Sequence, residues 1–527
     1  IRRQICGRAE DDTGDTARTS GRRSPRHNGA GSLQDGAGGG GRISGRAGLP
    51  ARRCLRRSPP YGRCALDDAR LHLGQQLGGT VRWEVSTDPE FRHLNRGGRC
   101  VLDPTHHYRV KIDTDSLLPA TTYYYRFEYA GQWSPVGRTR TAPDPQREIS
   151  QLTLAVVSCN ALEWGYFNAF ANLARRDDLQ AIIHLGDYIY EYATGVYGDT
   201  TLGRFHEPRH ELVSAADYHQ RYAQYRRDPQ LQSAHQAHPF ICIWDDHEVA
   251  NNSHSSGAEN HNPATQGDYL TRMTAARQIY YDWMPVRENP DGRLYRSFQF
   301  GQLAELHMLD ERLAGRTAPA TTFDPEDLAD TSRHMLGETQ LQWLCSQLER
   351  SPARWQLLGN QVLFADLDLA KILPQYAVNT DAWDGYRHEK NRLIDSIRHH
   401  GWNNIVFLTG DTHCSWYFAV PDDATAYRQN AAAHTIAHEF AAPSVSSANY
   451  DEFVQGWDTL MVARHRLFRD NAHLNYTNLT DHGYLLLHLR PHELKAEFHY
   501  LKTIRQPVLR EGPVKTFSLP YVSKYTK

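Results

Sequence analysis

Four short apolar runs punctuate the middle of the chain: "LTLAVVSC" (152–159), "AIIHLGD" (181–187), "FICIWDD" (240–246) and "NNIVFLTGD" (403–411). Runs of this length, rich in Val, Ile, Leu and Phe and closed by polar residues, predict buried strands. Between them apolar positions recur at helical spacing, as Phe167, Phe170 and Leu173 in "GYFNAFANLARRDD" and again in "ETQLQWLCSQLER". Strand–helix alternation of this kind predicts an α/β architecture, here over residues 147–510. Upstream, over 67–146, the period is two. "TVRWEVSTD" sets Val81, Trp83 and Val85 on one face, and "HYRVKIDTDSLLPATTYYYRFEYAG" gives two strands around a proline-containing turn. Short strands with regular turn signals predict a small β-sandwich, with no catalytic cluster of its own.

The two ends of the chain read differently. Residues 1–66 are rich in Arg, lack Lys and contain the low-complexity stretch "GAGGGGRISGRAG". Such a segment is not expected to bury enough apolar surface to fold, and is read as a disordered tail or misread coding sequence. Its "IRRQICGRA" carries twin arginines with no apolar stretch behind them. Residues 511–527 are read as a carboxyl-terminal tail, a cap over the site or a frayed end.

Composition narrows the classes. A length of 527 residues suggests two to four domains, and a formal net charge of −2 argues against a nucleic-acid-binding surface. No apolar run approaches the roughly 18 residues of a membrane helix. The eight cysteines are scattered without a C-x-x-C, which is not a disulfide framework. Cys242 and Cys345 lie in apolar contexts and are expected to be buried thiols. The 28 histidines are expected to be mostly solvated.

The ends of the four runs carry the chemistry. They finish in Cys159-Asn160, Asp187-x-x-Tyr190, Asp245-Asp246-His247 and Asp411-x-His413. In α/β sheets, sites form where strands end. Four such endings on the same edge of one sheet would assemble carboxylate, imidazole, phenolate and thiolate around metal ions. Oxygen donors suit Ca²⁺, Mg²⁺ or Mn²⁺, whereas Tyr and Cys beside His suit iron. Asp187 is then able to bridge two ions, with Tyr190 reaching one of them. Cys414 points the other way along an extended chain and is read as packing. His184 is read as a core histidine, and His254 and His261 as solvated.

These stretches resemble the PhoD-like alkaline phosphatases of the metallophosphoesterase superfamily. The matching segments are "VVSCN", "HLGDYIYEY", "IWDDHEVANN", "LDERLAGR", "WQLLGNQVLF", "LTGDTHCSW" and "HEFAAPSVSS", in the family's order. "VRWEVSTDPEF" and "GRTRTAP" are similar to the family's amino-terminal, fibronectin type III-like domain. The resemblance implies a four-layer sandwich of two mixed β-sheets flanked by helices. It implies Fe³⁺ and Ca²⁺ as cofactors, with Cys159, Asp187, Tyr190 and His413 on the iron. Asp187 would bridge to calcium, with Asn251 or its neighbour and Asp411 among the calcium ligands. It also implies a periplasmic or secreted protein; a monomer is expected.

The implied activity is hydrolysis of phosphomonoesters and phosphodiesters by a metal-activated hydroxide, releasing phosphate. His247 would protonate the leaving alkoxide or bind a phosphoryl oxygen, and Asp246 would orient it or serve as a ligand. Arg312 and Arg316 would clamp the phosphate, unless they lie on a surface salt-bridged helix. Asn360 is a supporting donor or a turn residue, and Trp283 and Arg287 pack near the site or frame the substrate. The alternatives are a phosphodiesterase of phospholipase D type acting on lipid or polymer phosphates, and an inactive metal-binding scaffold.

Overall fold

The computed structural model describes residues 64–66, 79–370, 378–453 and 457–523. Among them no helix is long and apolar enough to cross a membrane. The amino-terminal part is all β. Strands β2 (Thr80–Ser86), β3 (Arg96–Val101), β5 (Thr122–Tyr129), β6 (Gln132–Trp133) and β7 (Gly137–Arg140) form one antiparallel sheet. β1 (Cys64–Leu66) pairs with β4 (Ile112–Thr114) beside it. So the stretch expected not to fold ends earlier than residue 66; the rest of that expectation lies outside the described residues. β5 alternates strictly, burying Tyr123, Tyr125, Phe127 and Tyr129 against Val81, Val85, Val110 and Leu117. The Tyr123 hydroxyl accepts the Leu118 N–H at 2.8 Å, which pins the turn before β5.

This small domain grips the ends of two helices of the larger one. Lys111 donates to the backbone carbonyls of Tyr281 and Val286, at the carboxyl end of helix 269–283. Arg138 donates to the Ala237 carbonyl, the last residue of helix 229–237, at 3.0 Å. Cations suit these carbonyl-rich ends. Arg109 stacks over Trp283, and Arg287 pairs with Asp113 at 2.8 Å. Trp283 and Arg287 therefore fasten the two domains together, where framing the substrate was one expectation for them.

Two sheets build the larger part. The first has the order β10-β9-β8-β18-β19-β20 and the second β11-β12-β13-β14-β16-β15-β17. In the first, β8 (Leu152–Val157), β9 (Ala181–His184) and β10 (Phe240–Cys242) run parallel, and β18 (Gly483–Arg490), β19 (Glu493–Leu501) and β20 (Glu511–Pro520) continue antiparallel. In the second, β12 (Ala304–Met308), β13 (Trp355–Gly359), β14 (Ile405–Thr409) and β16 (Thr435–Ala441) are parallel. β11 (Arg296–Phe300), β15 (Ser415–Pro421) and β17 (Leu474–Asn478) complete it antiparallel.

The period-two rule assigns the layers. Leu357, Val406, Leu408 and Phe440 share one core with β8 and β9, so the sheets pack face to face. Their neighbours Leu358, Ile405 and Phe407 point the other way, onto Leu341, Leu344 and Leu348 of helix 337–350 and Leu393 and Ile397 of helix 387–400. Helices 168–173, 215–225 and 269–283 supply Phe170, Tyr222 and Ile279 to the first core. The result is helix, sheet, sheet, helix.

Two expectations are corrected here. Residues 511–520 are no tail, because Glu511–Pro520 is the edge strand of the first sheet and buries Leu519. The four ligand-bearing strands are not on one sheet either: β8, β9 and β10 lie in the first, β14 in the second.

Candidate metal centre

The parallel strands of both sheets end at one place, and backbone contacts fix them there. The N–H groups of Cys159 and Asn160 donate to the carbonyls of Gly186 and Asp187, both at 3.1 Å, so the exits of β8 and β9 stay paired beyond the sheet. Gly186 sits at φ 103°, and a Cβ there would lie 2.4 Å from Asp245 N. Only glycine lets the exits of β9 and β10 approach so closely. The buried Glu248 carboxylate accepts the N–H groups of Asp187 (3.1 Å), Tyr188 (2.7 Å) and Asp245 (2.9 Å), tying the same two exits. From the second sheet, Gly410 lets β14 close on Ser158. The loop after β16 stitches across: Ser444 N–H donates to His413 O (2.7 Å), Val445 N–H to Ser158 O (3.0 Å) and Ser447 N–H to Cys159 O (3.1 Å).

Four residues at these exits adopt positive φ: Cys159 (60°), Asp187 (55°), Asp411 (54°) and His413 (64°). None is glycine. Left-handed backbone at a cysteine or histidine costs energy and persists where the surroundings dictate it, as they do at functional sites.

The side chains converge. Cys159, Asp187 and His413 form one group whose ligand atoms all lie within 4.8 Å of one another; Asp187, Asp246 and His247 form a second; Asp245, Asp246 and Asp411 form a third. Asp187 links the first group to the second, and Asp246 the second to the third. Tyr190 joins the first: its hydroxyl donates to Asp187 Oδ2 at 2.8 Å and lies 3.3 Å from His413 Nε2. The first group mixes thiol, phenol, imidazole and carboxylate; the third is all carboxylate.

Electrostatics agree with cation binding. Burial, with the charges of Asp246, Asp187 and Asp411 added, drives the Asp245 carboxyl well above the usual range, although Arg312 opposes this. Asp245 Oδ2 is buried and accepts no hydrogen bond among the described residues. Carboxylates crowded in a largely buried site around the Arg312 guanidinium fit multivalent cations, which would neutralise them. Burial likewise pushes Glu248 up to about 8, helped by Asp187 and opposed by the three N–H bonds.

The remaining candidate residues lie around this core. His247 is buried; its Nδ1 lies 2.6 Å from Glu191 Oε2 and its Nε2 3.7 Å from Asp246 Oδ2. His247 holds Glu191 below the ordinary carboxylate range against the cost of burial. Arg312 and Arg316 are fully buried in the turn that follows β12, so the surface-helix alternative does not hold. Arg312 Nε donates to Asp245, and Nη1 donates to both Asp381 oxygens at 3.0 and 2.8 Å. Burial disfavours its charge, but Asp245, Asp381, Asp246 and Asp411 outweigh it. Asn251 lies beside the centre with its Oδ1 accepting from the Tyr192 hydroxyl at 3.0 Å, while its neighbour Asn252 donates its N–H to Asp246 Oδ2 at 2.7 Å. Asn360 is a buried donor to Thr409 Oγ1 and an acceptor from Trp383.

Of two histidines, His184 matches expectation and His254 departs from it. His184 is a core histidine, 2.7 Å from Asn160 Oδ1, and burial lowers it to about 3. His254 was read as solvated but is half-buried, and burial together with Arg316 lowers it to about 4. Cys414 is buried in the second apolar core and belongs to none of the three candidate groups, and burial raises its thiol strongly. Cys242 is buried and Cys345 only half-buried.

A family model described as "PhoD-like phosphatase" matches residues 154–498, and another, "PhoD-like phosphatase, N-terminal domain", matches 63–143. The chain belongs to the PhoD-like phosphatase family. Over 437 residues it is 34% identical to "Alkaline phosphatase D" of Bacillus subtilis (strain 168), covering 81% of this chain and 72% of that protein. The solved "Structure of PhoD" matches with a TM-score of 0.76 and 30% identity, covering 87% of this chain and 90% of that one. This PhoD-like phosphatase is therefore a phosphoric ester hydrolase.

Several residues that support the centre of this PhoD-like phosphatase carried no assigned role in the sequence. Glu191 and Glu248 each follow a ligand candidate directly, and adjacency was the one available signal. Ser447, whose Oγ donates to the Tyr190 hydroxyl at 2.6 Å, lies inside the quoted "HEFAAPSVSS". Asp381 is remote from every motif, and no local signal marks it.

Proposed function

We propose that this phosphatase hydrolyses both phosphomonoesters and phosphodiesters and releases inorganic phosphate. The carrying observation is the convergence of Cys159, Asp187, Tyr190 and His413 beside the carboxylate group of Asp245, Asp246 and Asp411. The mixed donor set favours Fe³⁺ held by Cys159, Asp187, Tyr190 and His413. The oxygen-rich set favours Ca²⁺ held by Asp187, Asp246, Asp411 and Asn251 or its neighbour. When bound, these cations supply Lewis acidity, making water acidic and drawing charge from phosphoryl oxygens.

The chain's own groups then act on the ester. Arg312 offers Nη2 to a phosphoryl oxygen, with its plane fixed by Asp245 and Asp381. Glu191 accepts from His247 Nδ1 and so fixes the ring, which leaves Nε2 to serve the leaving oxygen. Family membership also supports a location outside the cytoplasm, as a further part of the proposal.

The purified protein is expected to hydrolyse p-nitrophenyl phosphate and bis-p-nitrophenyl phosphate, and to lose both activities on chelation. Full activity after exhaustive chelation, with elemental analysis showing no metal, would refute this reading. A Tyr190→Phe variant is expected to lose a visible phenolate-to-iron charge-transfer band while keeping its fold; an unchanged band would remove Tyr190 from the iron.

A further inference from the structure

The edges of the buried Arg312 guanidinium are used unequally. Nε and Nη1 are committed to Asp245 and Asp381. Nη2 is buried and makes no hydrogen bond among the described residues; it lies 3.6 Å from Asp246 Oδ1 and 3.6 Å from Asp411 Oδ1. It faces the candidate metal centre. Asp381 is shared: it also accepts from Arg316 Nη2 through its carboxylate, and through its backbone carbonyl at 2.8 Å. Access differs along the cluster. The side chains of Asp245 and Asp246 are 1% exposed, whereas Asp381 is 13% and Asp411 15% exposed. Asp381 and Asp411 are therefore the members of the cluster that touch solvent.

We propose that Asp381 is a specificity-determining and positioning residue: it holds Arg312 toward the phosphoryl group and, by its charge on the solvent-touching side of the cluster, favours singly charged phosphodiesters over doubly charged phosphomonoesters. The inference rests on the phosphatase reading given above. Paired with Asp381, Arg312 presents N–H donors with little net positive charge, so either ester can be hydrogen-bonded. The repulsion from Asp381 scales with the charge of the ester. A phosphodiester carries one negative charge at alkaline pH and a phosphomonoester close to two. The facing groups leave that charge standing. Arg312 and Arg316 hold the Asp381 carboxyl below its ordinary range against burial. His254, lowered to about 4 by burial and Arg316, adds no cation beside it in the alkaline range.

The test compares kcat/KM on p-nitrophenyl phosphate and bis-p-nitrophenyl phosphate for wild type, Asp381→Asn, Asp381→Ser, Asp381→Glu and Arg316→Gln. Inhibition by inorganic phosphate and elemental metal content are measured in parallel. Removing the charge in the Asn and Ser variants is expected to shift the monoester-to-diester ratio toward monoesters roughly tenfold and to tighten phosphate binding. Asp381→Glu keeps the charge and is expected to keep the ratio while lowering kcat. Arg316→Gln leaves Asp381 less compensated, so its ratio moves toward diesters; this variant carries the test if the Asp381 variants do not fold. An unchanged ratio in the folded variants with intact metal content overturns the proposal, as does an equal loss on both esters. A wild type that hydrolyses neither ester overturns the phosphatase reading instead.

Discussion

Gly186→Ala isolates what the backbone contributes to the metal centre. The new Cβ would lie 2.4 Å from both Asp245 N and Asp245 Cβ, about 1 Å short of ordinary contact, and these are backbone-fixed atoms that cannot swing aside. Alanine at φ 103° adds backbone strain of about 1–3 kcal/mol. Overpacking adds a further 1–3 kcal/mol or so. The expected destabilisation is thus about 2–6 kcal/mol, read from urea equilibrium unfolding followed by tryptophan fluorescence. Relief requires the exits of β9 and β10 to part, which separates Asp187 from Asp245 and Asp246. A shift of about 1 Å at reacting groups costs on the order of a hundredfold in kcat. Gly203→Ala is the control: Gly203 also has positive φ (68°), but no atom lies within 4 Å of its would-be Cβ. It is expected to cost about 1 kcal/mol and leave activity and metal content unchanged. If Gly186→Ala matches Gly203→Ala in both stability and kcat, close approach at Gly186 does not set the ligand geometry.

Other expectations concern the domain junction and the edge strand. His106 Nδ1 lies 2.8 Å from Asp282 Oδ1, and that hydrogen bond raises His106 above 6.5 against a smaller cost of burial. Its stabilising contribution is therefore complete below pH 6.5 and fades as pH rises through the folded value. His106→Asn is expected to lower the unfolding midpoint at about pH 5.5 and leave it unchanged near pH 9; equal effects at both would rule out the charged pair. Removing residues 511–523 strips β20 from β19 and exposes the Leu519 site, a loss of about 1.5–3 kcal/mol for that side chain alone. The truncated protein is expected to aggregate through the bared edge, and a monodisperse, fully active product would show that β20 is dispensable.

What the sequence disclosed and what it withheld have physical reasons. The apolar runs at 152–159, 181–187, 240–246 and 403–411 are legible because parallel strands are buried on both faces. Which sheet a run joins is not written in the run. β14 resembles β8 in composition, yet it pairs with β13 and β16. β20 was read as a tail because an exposed edge strand shows few apolar residues, and "EGPVKTFSLP" buries little beyond Leu519. The candidate ligands were legible because Asp-x-x-Tyr and Asp-Asp-His at strand ends are chemically unusual. Their supports were not. Asp381 meets Arg312 across a sequence separation of 69 residues, and Glu248 acts on backbone N–H groups that leave no residue signature.

Because the donors come from both halves of the molecule, the bound ions would act as rivets through its middle. Sliding one layer past the other would have to break coordination bonds as well as apolar contacts. Heat tolerance should then follow the concentration of available metal by mass action, gaining about 2.7 kcal/mol at a hundredfold excess over the dissociation constant. A cell that runs short of the metal would lose the protein itself along with its turnover.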